Sequence, residues 1–315
     1  MNLENPSHIL APLRYASVGR CPSDYLLRLS TQTYVRLFTF LWFFFPFFGI
    51  CARLLVSLSR NMSTIVYPSP IFGPIMSRRL GVSLGINLLP SDGKWCSFDC
   101  IYCECGLNAE RRATMPLPTR KEVKEALEKQ LQKMQKEGPK PDVLTFAGNG
   151  EPTLHPEFPA IVNDVTALRD QYFPQAKISV LSNSTQIHRE SVREALLRTD
   201  NPIMKLDTVS ADFIEKVDRP QGRYDVETIV NYLAQMSPKV IIQTMFLTGN
   251  GLDNTTDEYV EPWLEALQTI KPRQVMIYTI DRETPVQGLQ KAQPRILDEI
   301  AKKVRQLGFS CSVSY

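Results

Sequence analysis

Lysine is missing from the first 93 residues of this 315-residue chain, and residues 1–61 hold six arginines against only two acidic residues, Glu4 and Asp24. Residues 1–61 and 62–315 therefore read as two kinds of sequence. No stretch supplies the roughly 20 apolar residues of a bilayer-spanning helix. The most apolar run, Leu37–Ala52, has sixteen uncharged residues between Arg36 and Arg53 and is a marginal membrane segment at best. It lies too far from the start, with no clear small-residue cleavage site, for a secretory signal. Two readings of the extension stay open: a true start at Met62 with leader translated upstream, or a membrane anchor at residues 37–52. An even disulfide framework is also lacking, because Cys21, Cys51 and Cys311 stand alone. That argues against a secreted scaffold and fits a reducing, cytoplasmic compartment, or an anchored form with its domain in the cytoplasm. The net charge of +3 is too small to argue for or against nucleic acid. Internal repeats and low-complexity tracts are absent too.

What the chain does have is four of its seven cysteines within ten residues, in Cys96-Ser97-Phe98-Asp99-Cys100-Ile101-Tyr102-Cys103-Glu104-Cys105. Thiolates at this density ligate soft metals. Cys96, Cys100 and Cys103, spaced C-x3-C-x2-C, present three sulfurs from one tight loop and leave one iron of a [4Fe–4S] cube open to a small molecule. Zinc stays open as an alternative with Cys105 as fourth ligand, although the paired C-x2-C knuckles of zinc sites are lacking. Arg78 and Arg79 sit in a turn before this loop, either as solvated charge or to bind an anionic group of substrate or cofactor.

Beyond the loop, helical and strand patterns alternate. Helices are predicted over 119–136, 157–171, 188–198, 225–236, 257–270 and 294–307, and strands over 142–146, 177–181, 203–207, 240–247 and 274–280. With a strand pair from Ile71 leading into the cysteine loop, this makes six βα units, and residues 309–315 offer a last short strand. Right-handed crossovers then force a parallel sheet covered by helices, either an open doubly wound sheet or an incompletely closed barrel.

In such folds functional groups collect where strands end. After the second strand comes Gly148-Asn149-Gly150-Glu151-Pro152, a turn whose backbone can approach a ligand and whose Glu151 can accept from an ammonium. After the third come Ser182 and Asn183, able to bind a ribose or carboxylate or to cap the next helix. Lys205 and Asp207 share one strand face with Ile203, as a paired site in a lumen or on a solvated edge. Gln243 and Met245 share a face whose direction is open. Asp281 and Arg282 form a polar strand end. His155 and His188 read as helix-start residues.

Together these residues resemble the radical S-adenosylmethionine (radical SAM) superfamily over about 71–314. Cys96, Cys100 and Cys103 match its C-x3-C-x-aromatic-C signature, with Tyr102 at the position set against adenine. Gly148 to Pro152 looks like its GGEP motif, with Asn149 in place of one glycine. FGPIMSRRLGVSLG, ECG, KLDTVSADFIEKVDRP and IYTIDRETPVQGL are similar to the iron–sulfur oxidoreductase branch related to wyosine-base (4-demethylwyosine) synthases. The resemblance implies a partial (β/α)6 TIM-like barrel over residues 62–315, with the cluster loop at the carboxyl end of the first strand. It also implies a [4Fe–4S] cluster on Cys96, Cys100 and Cys103 that reductively cleaves S-adenosylmethionine to a 5′-deoxyadenosyl radical. Tyr102, Gly148, Gly150, Glu151, Ser182 and Asn183 would bind S-adenosylmethionine, with Lys205 and Asp207 as lumen candidates. A one-electron donor such as flavodoxin or ferredoxin is implied, and a tRNA base is a candidate substrate. The second cluster of the wyosine synthases has only Cys21 and Cys51 as upstream thiols here. A non-catalytic iron–sulfur or zinc protein is the competing reading.

Overall fold

The computed structural model describes residues 65–77 and 79–315. The run 37–52, Cys21, Cys51 and Arg78 lie outside them. Among the described residues no helix is long and apolar enough to cross a membrane.

A hairpin opens the fold: β1 (Ile71–Ser77) pairs antiparallel with β2 (Gly81–Ile86). The chain then alternates through α1 (Arg120–Glu137), β3 (Val143–Phe146), α2 (Phe158–Tyr172), β4 (Lys177–Ser182), α3 (Glu190–Arg198) and β5 (Asn201–Lys205). It continues through α4 (Ala211–Val217), α5 (Val226–Gln235), β6 (Ile241–Gly249), β7 (Leu252–Asp253), α6 (Asp257–Ile270), β8 (Gln274–Thr279), β9 (Leu289–Lys291), α7 (Pro294–Gln306) and β10 (Cys311–Ser314). The sheet order is β1-β2-β3-β4-β5-β6-β8-β10, parallel from β2 onward, and β7 and β9 pair antiparallel with the end of β6.

This is the expected α/β architecture, a curled partial barrel of the TIM type. Its six βα steps are present, and β10 is the last short strand. Three elements were not anticipated: α4, β7 and β9. α4 is only seven residues long and starts at Ser210, whose hydroxyl accepts from the Phe213 amide. Helix α1 begins with a capping box, since Thr119 accepts from the Glu122 amide while Glu122 accepts from the Thr119 amide.

The period-two alternation of the strands divides the sheet into two faces. Leu84, Ile86, Leu144, Phe146, Ile178, Val180, Ile242, Val275 and Ile277 point outward into the main core beneath the helices. The alternate residues face the lumen. There Leu80, in the β1–β2 turn, packs on Ile203, Ile241 and Met276 and closes the amino-terminal end. Inward positions on β2 must stay small, because a Cβ on Gly85 would stand 2.2 Å from the Phe72 ring. Gly85→Ala is expected to cost about 1–3 kcal/mol by overpacking, read as a lower urea midpoint, with part recovered in the Gly85→Ala/Phe72→Ala double variant. An unchanged midpoint for Gly85→Ala would contradict this packing.

Candidate functional site

Past β2 the chain reaches the cysteine loop, which wraps around a buried ammonium. Lys94 Nζ donates to the Gly106 carbonyl at 2.8 Å and to Asp99 Oδ1 at 3.2 Å, and its side chain is 1% exposed. Burial opposes its charge, but the negative charge that Cys103, Cys96 and Cys100 carry as thiolates, together with Asp99, outweighs burial and holds it above the usual lysine range. Cys96, Cys100, Cys103 and Cys105 are all unpaired thiols. Cys96 Sγ accepts from the Phe98 amide at 3.4 Å and from Asn183 Nδ2 at 3.6 Å, while burial pushes its pKa up to about 12. Cys105 is buried and donates to the Gly148 carbonyl at 3.4 Å. Its thiol also faces Cys103 and draws that thiol below the usual cysteine range.

The second loop is stitched to the first through the backbone. The Trp95 amide donates to Asn149 O at 2.8 Å, and the Glu151 amide returns to Trp95 O at 3.2 Å, forming a short parallel bridge at Gly150. Glycine is required here. Gly150 has φ +140°, and a Cβ on it would lie 2.0 Å from Trp95 O; Gly148 has φ +137°, with a Cβ 2.5 Å from Asn87 Oδ1. Asn149, fully buried, uses its carboxamide as a clamp: Nδ2 donates to Tyr67 O and Pro90 O at 2.8 and 2.7 Å, and Oδ1 accepts from the Tyr67 amide at 2.8 Å. Glu151 is almost wholly buried. It accepts from the Thr153 amide and hydroxyl, from Ser182 Oγ at 2.9 Å and from the Asn183 amide at 2.6 Å. Its carboxylate thus ties the ends of β3 and β4 together. Burial still raises its pKa against those donors. Asn183, besides facing Cys96, donates to Ser97 Oγ at 3.0 Å and accepts from the Thr185 hydroxyl at 2.8 Å. Ser182 and Asn183 therefore serve the loops and not the cap of α3, whose N-terminal residue Arg189 makes no side-chain cap.

Lys205, the last residue of the central strand β5, and Asp207, two residues past that strand's end instead of within it as predicted, are joined as an ion pair and largely buried, so the solvated-edge alternative is excluded. The cluster is larger than expected. Lys205 Nζ also pairs with Asp218 Oδ1 at 2.7 Å and bonds the Tyr102 hydroxyl, which itself donates to Asp207. The ammonium lies 4.9 Å from the Tyr102 ring centre. Burial works against the Lys205 charge, but Asp207 and Asp218 outweigh it, while burial raises the Asp218 carboxyl despite Lys205. Asp218 and Lys94 were not singled out from sequence. Lys94 stands two residues before Cys96, and Asp218 lies within the VDRP run, so both were adjacent to recognised motifs.

A cavity of about 390 Å³ lies beside the cysteine loop, a volume suited to a small molecule. Tyr102, Cys103, Cys105, Ala147 and Gly148 line it from the loops, and Gln243, Met245, Met276 and Tyr278 from β6 and β8. Gln243 and Met245 therefore face inward. At the rim Arg282 pairs with Glu104 and lies 3.5 Å from Tyr67 Oη, while Asp281 is 3.8 Å from Lys291. His155 is buried between Pro118 O and the Glu157 amide, and His188 contacts Thr185 O, both at helix starts as expected.

Residues 91–267 match the family model of the radical SAM superfamily. The chain belongs to that superfamily. Among curated relatives it is 32% identical over 215 residues to a UPF0026 protein of Methanocaldococcus jannaschii, covering 66% of this chain and 62% of that protein. It is 28% identical over 245 residues to a protein named GTPase Obg of Brachyspira hyodysenteriae, spanning 77% of this chain but only 34% of that one. A radical SAM methyltransferase from Sphaerobacter thermophilus has the same fold, with a TM-score of 0.55 at 15% identity over 74% of this chain and 66% of its own. So does Streptococcus suis SuiB bound to S-adenosylmethionine, with a TM-score of 0.51 at 15% identity over 73% of this chain and 50% of its own. The family model gives the radical SAM superfamily, and the names of the curated relatives do not single out its wyosine-synthase branch.

Radical SAM proteins are enzymes that use a [4Fe–4S] cluster and S-adenosylmethionine. The residues present fit both groups: three free thiols on one loop, N–H donors directed at the Cys96 sulfur, and an adjoining cavity. Among the described residues no three His, Cys, Asp or Glu side chains converge as on a single ion. A cube does not ask for that, since each iron takes its own thiolate.

Two substitutions test this geometry. Asn149→Gly, which restores the doubled glycine, is expected to cost about 1–3 kcal/mol through unsatisfied partners, with faster hydrogen exchange at the Tyr67 amide; unchanged exchange there would refute the clamp. Lys205→Met leaves Asp207 and Asp218 buried without their cation and is expected to cost about 3–5 kcal/mol, measured by chemical unfolding, with a loss below about 1 kcal/mol contradicting the buried pair.

Proposed function

We propose that this chain is a radical SAM enzyme in which Cys96, Cys100 and Cys103 ligate a [4Fe–4S] cluster and leave its fourth iron for the methionine end of S-adenosylmethionine. Its radical SAM domain is residues 62–315. The observation that carries this reading is the backbone bridge between Trp95 and Gly150, which fixes the three-thiol loop against the Gly148–Pro152 turn at the mouth of the cavity. When bound, the cluster supplies one electron that cleaves the sulfonium to methionine and a 5′-deoxyadenosyl radical. The chain's own residues do the rest. Asn183 and the Phe98 amide donate to the Cys96 sulfur, Gly148 and Gly150 bring backbone close to the ligand, and Glu151 with Ser182 holds that backbone still. Tyr102, fixed through its hydroxyl by Lys205 and Asp207, presents its ring to the adenine. Apolar lumen walls exclude water from a reactive radical.

Electrons come from a small donor such as flavodoxin or ferredoxin, in the cytoplasm where the thiols stay reduced. The narrower reading is modification of a tRNA base. It rests on the likeness of KLDTVSADFIEKVDRP and IYTIDRETPVQGL to the wyosine-synthase branch; the first run carries Lys205, Asp207 and Asp218, and the second carries Asp281 and Arg282 at the cavity rim.

Anaerobic reconstitution with iron and sulfide, then dithionite and S-adenosylmethionine, is expected to yield 5′-deoxyadenosine; its absence from reconstituted wild type defeats the enzyme reading and favours a non-catalytic binding protein. Cys103→Ala is expected to abolish the cluster's visible absorbance and Cys105→Ala to retain it, and the reverse would reassign the ligands. For the tRNA reading, nucleoside mass spectrometry of bulk tRNA from a deletion strain is expected to lose one modified base. An unchanged profile removes that reading alone.

A further inference from the structure

The β6–β8 wall of the cavity carries polar groups with no work in holding the protein together. Gln243 and Tyr278 point inward from neighbouring strands, whose Cα pairs are Gln243 with Met276 and Met245 with Tyr278. Neither side chain makes a hydrogen bond among the described residues, whereas Tyr102, Glu151, Ser182, Asn183 and Lys205 are each engaged. Arg79 joins them from the opposite edge of the sheet. The β1–β2 turn plugs the lumen with Leu80, and the adjacent Arg79 reaches Tyr278, where its guanidinium carbon lies 4.8 Å from the ring centre.

Three physical features favour an anion here. A guanidinium lying over an aromatic face, as Arg79 lies over Tyr278, still has N–H groups to offer a ligand. Among the described residues no carboxylate pairs with Arg79, whereas Arg282, Arg120 and Arg169 each have one. The wall beyond it, along which the rest of a ligand would lie, is apolar, from Met245, Met276, Ile203 and Leu181, while Arg79 itself is exposed and open to an entering anion. Gln243 adds one amide donor and one acceptor, and Tyr278 one hydroxyl.

We propose that Arg79, stacked on Tyr278, forms with Gln243 a subsite for an anionic oxygen group of the substrate, a carboxylate or a phosphate. The subsite rests on the radical SAM reading only in that the lumen is then the substrate chamber. It sets the substrate class: a molecule with an acidic group spaced from the carbon that loses hydrogen, its apolar or planar part lying along the methionine-lined wall. The guanidinium fork takes two oxygens through parallel N–H bonds, a planar match that a lysine ammonium lacks.

The test is calorimetric titration of the anaerobically reconstituted full chain with benzoate, phenyl phosphate and the neutral benzamide. Wild type is expected to bind at least one anion ten times or more tighter than benzamide. Arg79→Gln is expected to lose tenfold or more of that affinity with benzamide unchanged, and Arg79→Lys to recover only part. Preference for benzoate or phenyl phosphate tells carboxylate from phosphate. Equal anion affinity in Arg79→Gln and wild type, or no anion binding by wild type, overturns the subsite. Cleavage of S-adenosylmethionine by wild type is followed in the same preparation: cleavage without anion binding refutes the subsite alone, and anion binding without cleavage refutes the radical reading alone.

Discussion

The site depends on two backbone hydrogen bonds, Trp95 N–H to Asn149 O and Glu151 N–H to Trp95 O. They turn two loops, whose bonded residues Trp95 and Asn149 are more than fifty positions apart in the chain, into one lip at the carboxyl end of the parallel strands. Because the contact is backbone on backbone, it tolerates no side chain at Gly150. Once the lip exists the other features follow from it. Cys105 reaches the Gly148 carbonyl, Asn149 is buried beneath the lip and ties down the Tyr67 strap, and Glu151 is drawn inward to secure the end of β4.

Buried charge is placed on both sides of the cysteine loop. Lys94 lies within it, close to the three thiols, and Lys205 lies across the lumen between two carboxylates. Ammonium groups this well buried cost several kcal/mol unless paired and hydrogen-bonded. Lys94 meets that requirement with Gly106 O and Asp99, and Lys205 with Asp207, Asp218 and the Tyr102 hydroxyl. The consequence is a loop held in shape before any cluster binds. Tyr102, in the middle of the cysteine motif, is the residue that connects the loop to the lumen charges, since its hydroxyl meets both Lys205 and Asp207.

Much of this was legible in the residues alone, and the gaps have physical causes. The alternation of apolar strands with amphipathic helices located the parallel sheet, because period and length are local properties. The cysteine spacing and the glycines at 148 and 150 were legible for the same reason. Asn149 read only as a departure from a doubled glycine, because its partners Tyr67 and Pro90 are 82 and 59 residues away in sequence. Glu151 read as a ligand for an ammonium, whereas its oxygens face Thr153, Ser182 and Asn183, contacts set by how β3 meets β4. Gln243 faces the lumen through the register of β6 on β8, which a short apolar strand does not reveal. Helix α4 escaped notice because seven residues carry too few turns for a period to stand out, although Ser210 marked its start.

The central claim is that three cysteines, and not four, hold the cluster. Mössbauer spectroscopy of protein reconstituted with isotopically enriched iron, before and after addition of S-adenosylmethionine, tests it most directly. The account predicts that one iron of the four changes its signal on addition while the others do not. Four irons indifferent to S-adenosylmethionine, or a spectrum without a cubane cluster, would contradict it.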